Sequence, residues 1–117
     1  MQRILVIDDE PSIRSLISMM LKGLGYDVEV AEDGEKGIQL FRKPGNFDLV
    51  ITDIRMPNIG GNEVGAYIRN SHKSHIPLIA ITAYPEEVQE NIFDFSLTKP
   101  FKMKDVSRIV RSFENNR

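Results

Sequence analysis

With 117 residues, of which 41% are hydrophobic and 27% charged, the chain has the length of one ordinary domain and the composition of a globular protein, which excludes disorder for lack of apolar residues to bury. It contains no cysteine, so disulfides, thiolate metal sites and cysteine nucleophiles are excluded, and a net charge of −2 does not advertise nucleic acid or an anionic membrane as partner. No apolar run approaches the roughly 20 residues that cross a bilayer, and the first such run ends at once in Asp8-Asp9-Glu10, unlike a secretory signal; a cytoplasmic location is the expectation.

The first predicted element is a strand over Ile4-Leu5-Val6-Ile7, a continuous aliphatic run of the kind found where helices cover both faces of a parallel sheet. A helix follows, with Pro11 near its start, Gly25 beyond its end, and a stripe of Ile13, Leu16, Ile17, Met20, Leu21 and Leu24 at i, i+3, i+4, i+7, i+8 and i+11. Asp27-Val28-Glu29-Val30 alternates, which predicts a strand with one wet face at a sheet edge. A second helix is expected at about 35–42 around Ile38 and Phe41, a central strand at Leu49-Val50-Ile51, and a third helix at about 62–70 carrying Val64, Tyr67 and Ile68. Leu78-Ile79-Ala80-Ile81 is another central strand, and Phe95-Ser96-Leu97-Thr98 alternates like an edge. The last helix carries Val106, Ile109, Val110 and Phe113 at i, i+3, i+4 and i+7. Five strands alternating with five helices, without a linker or internal repeat, predict a doubly wound α/β domain with a parallel sheet. Right-handed crossovers with the alternating strands at the edges give the flavodoxin-like order 2-1-3-4-5.

Ligands of such sheets bind beyond the strand carboxyl ends. Asp8 and Asp9 end the first strand and Asp53 ends the third, so three carboxylates meet at the switch point. Each pair 4 Å apart would repel by roughly 4 kcal/mol at an effective dielectric near 20. A cation must balance them, and oxygen donors without His or Cys suit Mg²⁺. Taken singly, Asp9 and Glu10 could merely sit on the positive end of the first helix, and Asp53 could open a turn with Pro57 and Gly60-Gly61. Thr82 at the end of the fourth strand and Lys99-Pro100 at the end of the fifth tip the balance, because they aim a hydroxyl and an ammonium at the same edge. The set reads as a phosphoryl-binding site.

These residues resemble the receiver domains of two-component response regulators, the CheY-like superfamily, over essentially the whole chain. The resemblance rests on Ile7-Asp8-Asp9-Glu10, on Asp53-Ile54-Arg55-Met56-Pro57 followed by Gly60-Gly61, on Thr82-Ala83 and on Lys99-Pro100-Phe101. It implies that Asp53 accepts a phosphoryl group, that Asp8, Asp9, Asp53 and the backbone carbonyl of Arg55 hold Mg²⁺, and that Thr82 and Lys99 contact the phosphoryl oxygens. Before phosphorylation Lys99 is expected to pair with Asp53. The resemblance also implies a cis Lys99-Pro100 bond, a sensor histidine kinase or phosphotransfer protein as donor, and a downstream protein bound through the face of the fourth helix, fifth strand and fifth helix. The chain is then a signalling domain rather than an enzyme, with intrinsic Mg²⁺-dependent autophosphorylation and autodephosphorylation. The expectation is one receiver domain over 1–117, with no output domain and no direct contact to nucleic acid or membrane.

Departures from the family pattern are informative. Only sixteen residues, 83–98, separate Thr82 from Lys99, fewer than receivers usually have, and this predicts a shortened, irregular fourth helix with Val88, Ile92 and Phe93 on its apolar side. Ser96 stands where the family usually has a ring that reports movement of Thr82; ordering of residues 84–93, or Phe95 in place of that ring, is the expected substitute. Arg55 and Tyr84 flank the site, two positions after Asp53 and Thr82, and should hinder an attacking water.

Three other readings of the same residues compete with this one. An aspartate-nucleophile phosphatase needs a second Asp where Arg55 stands, and a flavodoxin-type loop would be repelled by Asp8-Asp9-Glu10. A non-phosphorylated interaction module is the third, disfavoured because the polar set is complete. His72 and His75 receive no role, and Lys104, Arg108 and Arg111 form a basic stripe on the last helix that is read as solvated.

Overall fold

The computed structural model describes residues 2–43, 45 and 47–115. Strands β1 (Arg3–Ile7), β2 (Asp27–Ala31), β3 (Leu49–Thr52), β4 (Leu78–Thr82) and β5 (Phe95–Thr98) alternate with helices α1 (Pro11–Gly23), α2 (Gly34–Arg42), α3 (Gly61–Arg69) and α4 (Met103–Asn115). All pairings are parallel, in the order β2-β1-β3-β4-β5. The continuous aliphatic runs are the three central strands because residues on both faces of each are buried.

Side-chain alternation divides the core between the two faces of the sheet. Ile4, Val6, Ile51, Ile79 and Ile81 pack with Ile17 and Leu21 of α1 and with Val106 and Val110 of α4. Leu5, Ile7, Val50, Leu78 and Ala80 pack on the other side with Val64 and Ile68 of α3. Not every apolar residue of the periodic stripes goes inside: Leu16 stays 47% exposed and Val30 42% exposed, on the shoulder of α1 and on an edge strand.

Among the described residues the expected five helices are four. Between β4 and β5 the chain makes a three-residue 3-10 turn, Pro85–Glu87, and then runs irregularly. The reason is length, as the short spacing predicts. Apolar residues there still find the core without a helix, since Ile92 and Phe93 are buried against α3 and Val88 is half-buried beside them. The segment can lie so close because α3 carries Gly65, where a Cβ would come 2.5 Å from Ile92 Cγ2. Arg69 pins it further, donating to the Ile92 carbonyl at 2.9 Å and to Asp94 at 2.9 Å.

The expected substitution of Phe95 for the missing ring does not fit the alternation of β5. Ser96 pairs with Ala80 and Phe95 with Ile79, so the two side chains point to opposite faces of the sheet. Phe95 is 47% exposed beside α4.

Candidate functional site

Backbone pairing continues one residue past the strands and places the polar groups. The Asp8 amide donates to the Ala31 carbonyl at 3.1 Å, the Asp53 amide to the Ile7 carbonyl at 2.9 Å, and the Lys99 amide to the Thr82 carbonyl at 2.8 Å. Each side chain is therefore held by the sheet rather than by a loop alone. After Asp53 the chain must turn back into α3; Asn58 adopts the left-handed region at φ 67°, which Asn tolerates better than most residues. Gly61 then passes so close that a Cβ would overlap the Asp53 carbonyl. The Lys99-Pro100 bond is cis, as expected.

Lys99 is the centre of the cluster. Its Nζ lies 3.0 Å from Asp53 Oδ2, 3.1 Å from Asp8 Oδ2 and 2.7 Å from Glu10 Oε1. The remaining carboxylate oxygens are fixed from the backbone: Asp53 Oδ1 accepts from the Ile54 amide at 2.7 Å, and Asp8 Oδ1 accepts from the Glu10 amide at 2.8 Å. Asp8 and Asp53 are only 2% and 6% exposed. Burial raises the Asp8 carboxyl above its ordinary range, outweighing the Glu10 amide and Lys99, which act in the opposite direction. Burial also works against the charged form of Lys99, but its hydrogen bonds to Glu10, Asp53 and Asp8 more than offset this and raise its pKa above the ordinary lysine value. Three carboxylates thus share one permanently charged ammonium.

Oxygens of Asp8, Glu10 and Asp53 all lie within 4.8 Å of one another. One ammonium leaves two negative charges of that set unbalanced, and the donors are oxygen only, so the residues fit a hard divalent cation. Asp9, named from the sequence as a ligand, is exposed and lines the same cavity, but its carboxylate lies outside this close set. Glu10, assigned from the sequence to the helix end, lies inside it; the run of three acids was the available signal, and the turn out of β1 decides which of them face Lys99.

Thr82 is fully buried and its Oγ1 accepts from the Tyr84 amide at 3.0 Å, which fixes the start of the following loop and leaves the hydroxyl able to donate. Beyond it, Arg55 and Tyr84 join Asp9, Glu10, Asp53, Ala83 and Lys99 around a cavity of about 370 Å³. The Arg55 guanidinium donates to Glu87 in three bonds, Nε to Oε1 at 3.0 Å and to Oε2 at 3.2 Å, and Nη2 to Oε2 at 2.6 Å. That pairing lowers the Glu87 carboxyl and raises the Arg55 guanidinium. Glu87 was not legible as a site residue, because it reaches Arg55 only through the turn that replaces a helix. His72 and His75 are exposed and belong to no group of three potential metal ligands among the described residues. Lys104, Arg108 and Arg111 are exposed, with Arg108 3.8 Å from Asp105.

Comparison with known proteins shows the family and the fold. Residues 4–111 match the response regulator receiver domain family. The response regulator TrrA of Thermotoga maritima, solved in complex with Mg²⁺-BeF, is 39% identical with a TM-score of 0.86, covering 97% of this chain and 99% of that one. TrrA in complex with the histidine kinase ThkA is similar at a TM-score of 0.84, covering 97% of this chain and 98% of that one, with 39% identity. The DNA-binding response regulator MtrA of Mycolicibacterium smegmatis is 34% identical over 118 residues, 95% of this chain and 50% of that protein. The probable transcriptional regulator ycf27 of Porphyridium aerugineum is 36% identical over 117 residues, 95% of this chain and 47% of that protein. The chain spans about half the length of these curated relatives.

Proposed function

The chain belongs to the response regulator receiver domain family, and from that premise we propose that Asp53 is the phosphoacceptor, taking a phosphoryl group from a sensor histidine kinase or phosphotransfer protein. The observation that carries this reading is the convergence of Asp8, Glu10 and Asp53 on Lys99 at the carboxyl ends of β1, β3 and β5.

Asp53 attacks phosphorus as an ionised carboxylate, and the acyl-phosphate bond forms as the bond from phosphorus to the donor breaks. The Ile54 amide orients the carboxylate through Oδ1, while Lys99 contacts Oδ2 and is placed to follow the charge onto a phosphoryl oxygen. Thr82, buried at the end of β4, accepts from the Tyr84 amide and so has its hydroxyl proton available to donate to another phosphoryl oxygen. Asp8, Glu10 and Asp53, with Asp9 and the Arg55 carbonyl, would hold Mg²⁺. When bound, this ion neutralises charge developing on the phosphoryl oxygens. The presence of Mg²⁺ and BeF, a phosphoryl stand-in, in TrrA supports the assignment.

The donor class is supported by the complex of TrrA with a histidine kinase. With Asp53 modified, the domain signals to a downstream protein through the face formed by the Pro85–Glu87 turn, β5 and α4. Intrinsic phosphorylation from small donors and intrinsic dephosphorylation belong to the same reading. Phosphotransfer from a panel of phosphorylated histidine kinases, with Asp53→Asn as control, tests it: transfer to the parent and none to the variant is the expected result.

A further inference from the structure

Arg55 belongs at once to the phosphoryl cleft and to the turn that replaces the fourth helix. It lines the same cavity as Asp53, and it is held from outside by Glu87 and by the face of the Tyr84 ring. Glu87 ends the Pro85–Glu87 turn. Asn62 of α3 ties the same turn down, its side-chain nitrogen donating to the Glu87 carbonyl at 2.7 Å and its oxygen accepting from the Gln89 amide at 3.1 Å. The Arg55–Glu87 pair therefore joins the site to the segment whose conformation the short β4–β5 connection leaves irregular. Neither Ser96 nor Phe95 offers a ring on the face of the sheet toward α3.

We propose that Arg55 is a phosphoryl ligand held in reserve by Glu87, and that exchange of the Glu87 carboxylate for phosphoryl oxygens is the switch by which this domain changes its outer surface. This rests on Asp53 being the phosphoacceptor. A phosphoryl group brings a charge near −2 and three acceptor oxygens into the cleft. A guanidinium matches phosphate oxygens bidentately as it does a carboxylate. The Arg55–Glu87 pair is the weaker competitor, because its side chains are 58% and 34% exposed and solvent screens them, whereas the phosphoryl group forms in a partly buried cleft. Glu87, once released, returns to water at little cost. Tyr84 lets the guanidinium turn without losing its stacking partner. What still holds the turn is Asn62 and two i to i+3 bonds, Glu87 amide to Tyr84 carbonyl at 3.0 Å and Val88 amide to Pro85 carbonyl at 3.2 Å, a geometry that is weak in isolation. The 84–89 segment loosens or rearranges as a result.

The exchange makes opposite demands on the two partners, and this distinguishes it from a salt bridge that only holds the fold. In Glu87→Gln the guanidinium is already free, so beryllofluoride with Mg²⁺ binds about three- to tenfold more tightly than to the parent; in Arg55→Gln it binds more weakly by a similar factor, since the competent state is populated in one and a ligand is lost in the other. Fluorine NMR titration reads both affinities, and hydrogen exchange reads the amides of 87–89, which should exchange several-fold faster in the parent once beryllofluoride is bound and should already be fast in Glu87→Gln without it. Affinities that move in the same direction in both variants, or 87–89 exchange in the parent indifferent to beryllofluoride, would overturn the switch while acetyl phosphate still labels Asp53. Failure of acetyl phosphate to label Asp53 in the parent would instead overturn the phosphoacceptor reading and the switch with it.

Discussion

The guanidinium of Arg55 stacks on the ring of Tyr84, 3.7 Å from its centroid, and the two side chains stand together at the mouth of the cleft that holds Asp53. A cation over an aromatic face is favourable in itself, and under the proposed phosphorylation of Asp53 the stacked pair would narrow the approach of a hydrolytic water. The double variant Arg55→Asn, Tyr84→Ala is therefore expected to lose its phosphoryl group faster than the parent by a factor on the order of 3–10, which is roughly 0.7–1.4 kcal/mol of barrier. Decay of the phosphorylated form after removal of the donor, followed by intact mass, checks this; equal or slower decay in the variant contradicts it.

The acidic cluster carries a cost. Burial raises the Asp8 carboxyl above its ordinary value, so keeping it ionised at neutral pH opposes folding; the cost is absent below the unfolded pKa near 3.8 and is fully incurred above the raised folded value. Asp8→Asn, which still accepts from the Glu10 amide, is expected to be more stable than the parent in chelator at pH 7. The same variant should lose most of the stabilisation by Mg²⁺, which for the parent is about 2.7 kcal/mol at a hundred times the dissociation constant. Urea unfolding with and without Mg²⁺ measures both effects, and a variant less stable than the parent in chelator runs against the account.

The strands and their order were legible because central strands buried on both faces must be aliphatic throughout, as Ile4 to Ile7 and Leu78 to Ile81 are, while edge strands alternate. The positions of Asp8, Asp53, Thr82 and Lys99 were legible for a related reason: each follows or ends a strand, central or edge, so its place at the carboxyl edge is fixed with the strand. What was not legible depends on directions taken in turns. Whether Asp9 or Glu10 meets Lys99 is decided by the bend between β1 and α1, and the pairing of Arg55 with Glu87 spans 32 residues and exists only because the fourth helix is replaced by a 3-10 turn. Of the two substitutes expected for the missing ring, ordering of residues 84–93 or Phe95, the second is denied by a single step of strand alternation.

Tyr26 supplies a pH signature far from the site. It is buried, donates its hydroxyl to Glu114, and burial is the larger of the causes that raise its pKa to about 12. A folded-state value above the unfolded one of 10.0 means a contribution present below pH 10.0 and lost as the pH rises through about 12. Stability of the parent should therefore fall more steeply in that window than stability of Tyr26→Phe, by up to about 1.4 kcal/mol per pH unit for one proton. Urea midpoints across the window decide it, and identical slopes contradict the assignment.

Gly65 tests the packing of the short β4–β5 connection on α3. Alanine gains up to about 1 kcal/mol in helix propensity, but a Cβ there would come 2.5 Å from Ile92 and 3.2 Å from Phe93, an overlap of the kind that costs about 1–3 kcal/mol. Gly65→Ala is expected to be less stable by roughly 0.5–2 kcal/mol in urea unfolding. A more stable variant would mean that residues 92–93 do not lie against α3.

The central claim is that Asp53, gathered with Asp8, Glu10 and Lys99 at one edge of the sheet, accepts a phosphoryl group with the help of a divalent cation. Intact-mass measurement after incubation with acetyl phosphate tests it most directly. The account predicts a mass gain of one phosphoryl group in the parent with Mg²⁺, none in Asp53→Asn, and none in the parent when the cation is chelated; a gain that persists in Asp53→Asn or is indifferent to chelator would contradict it.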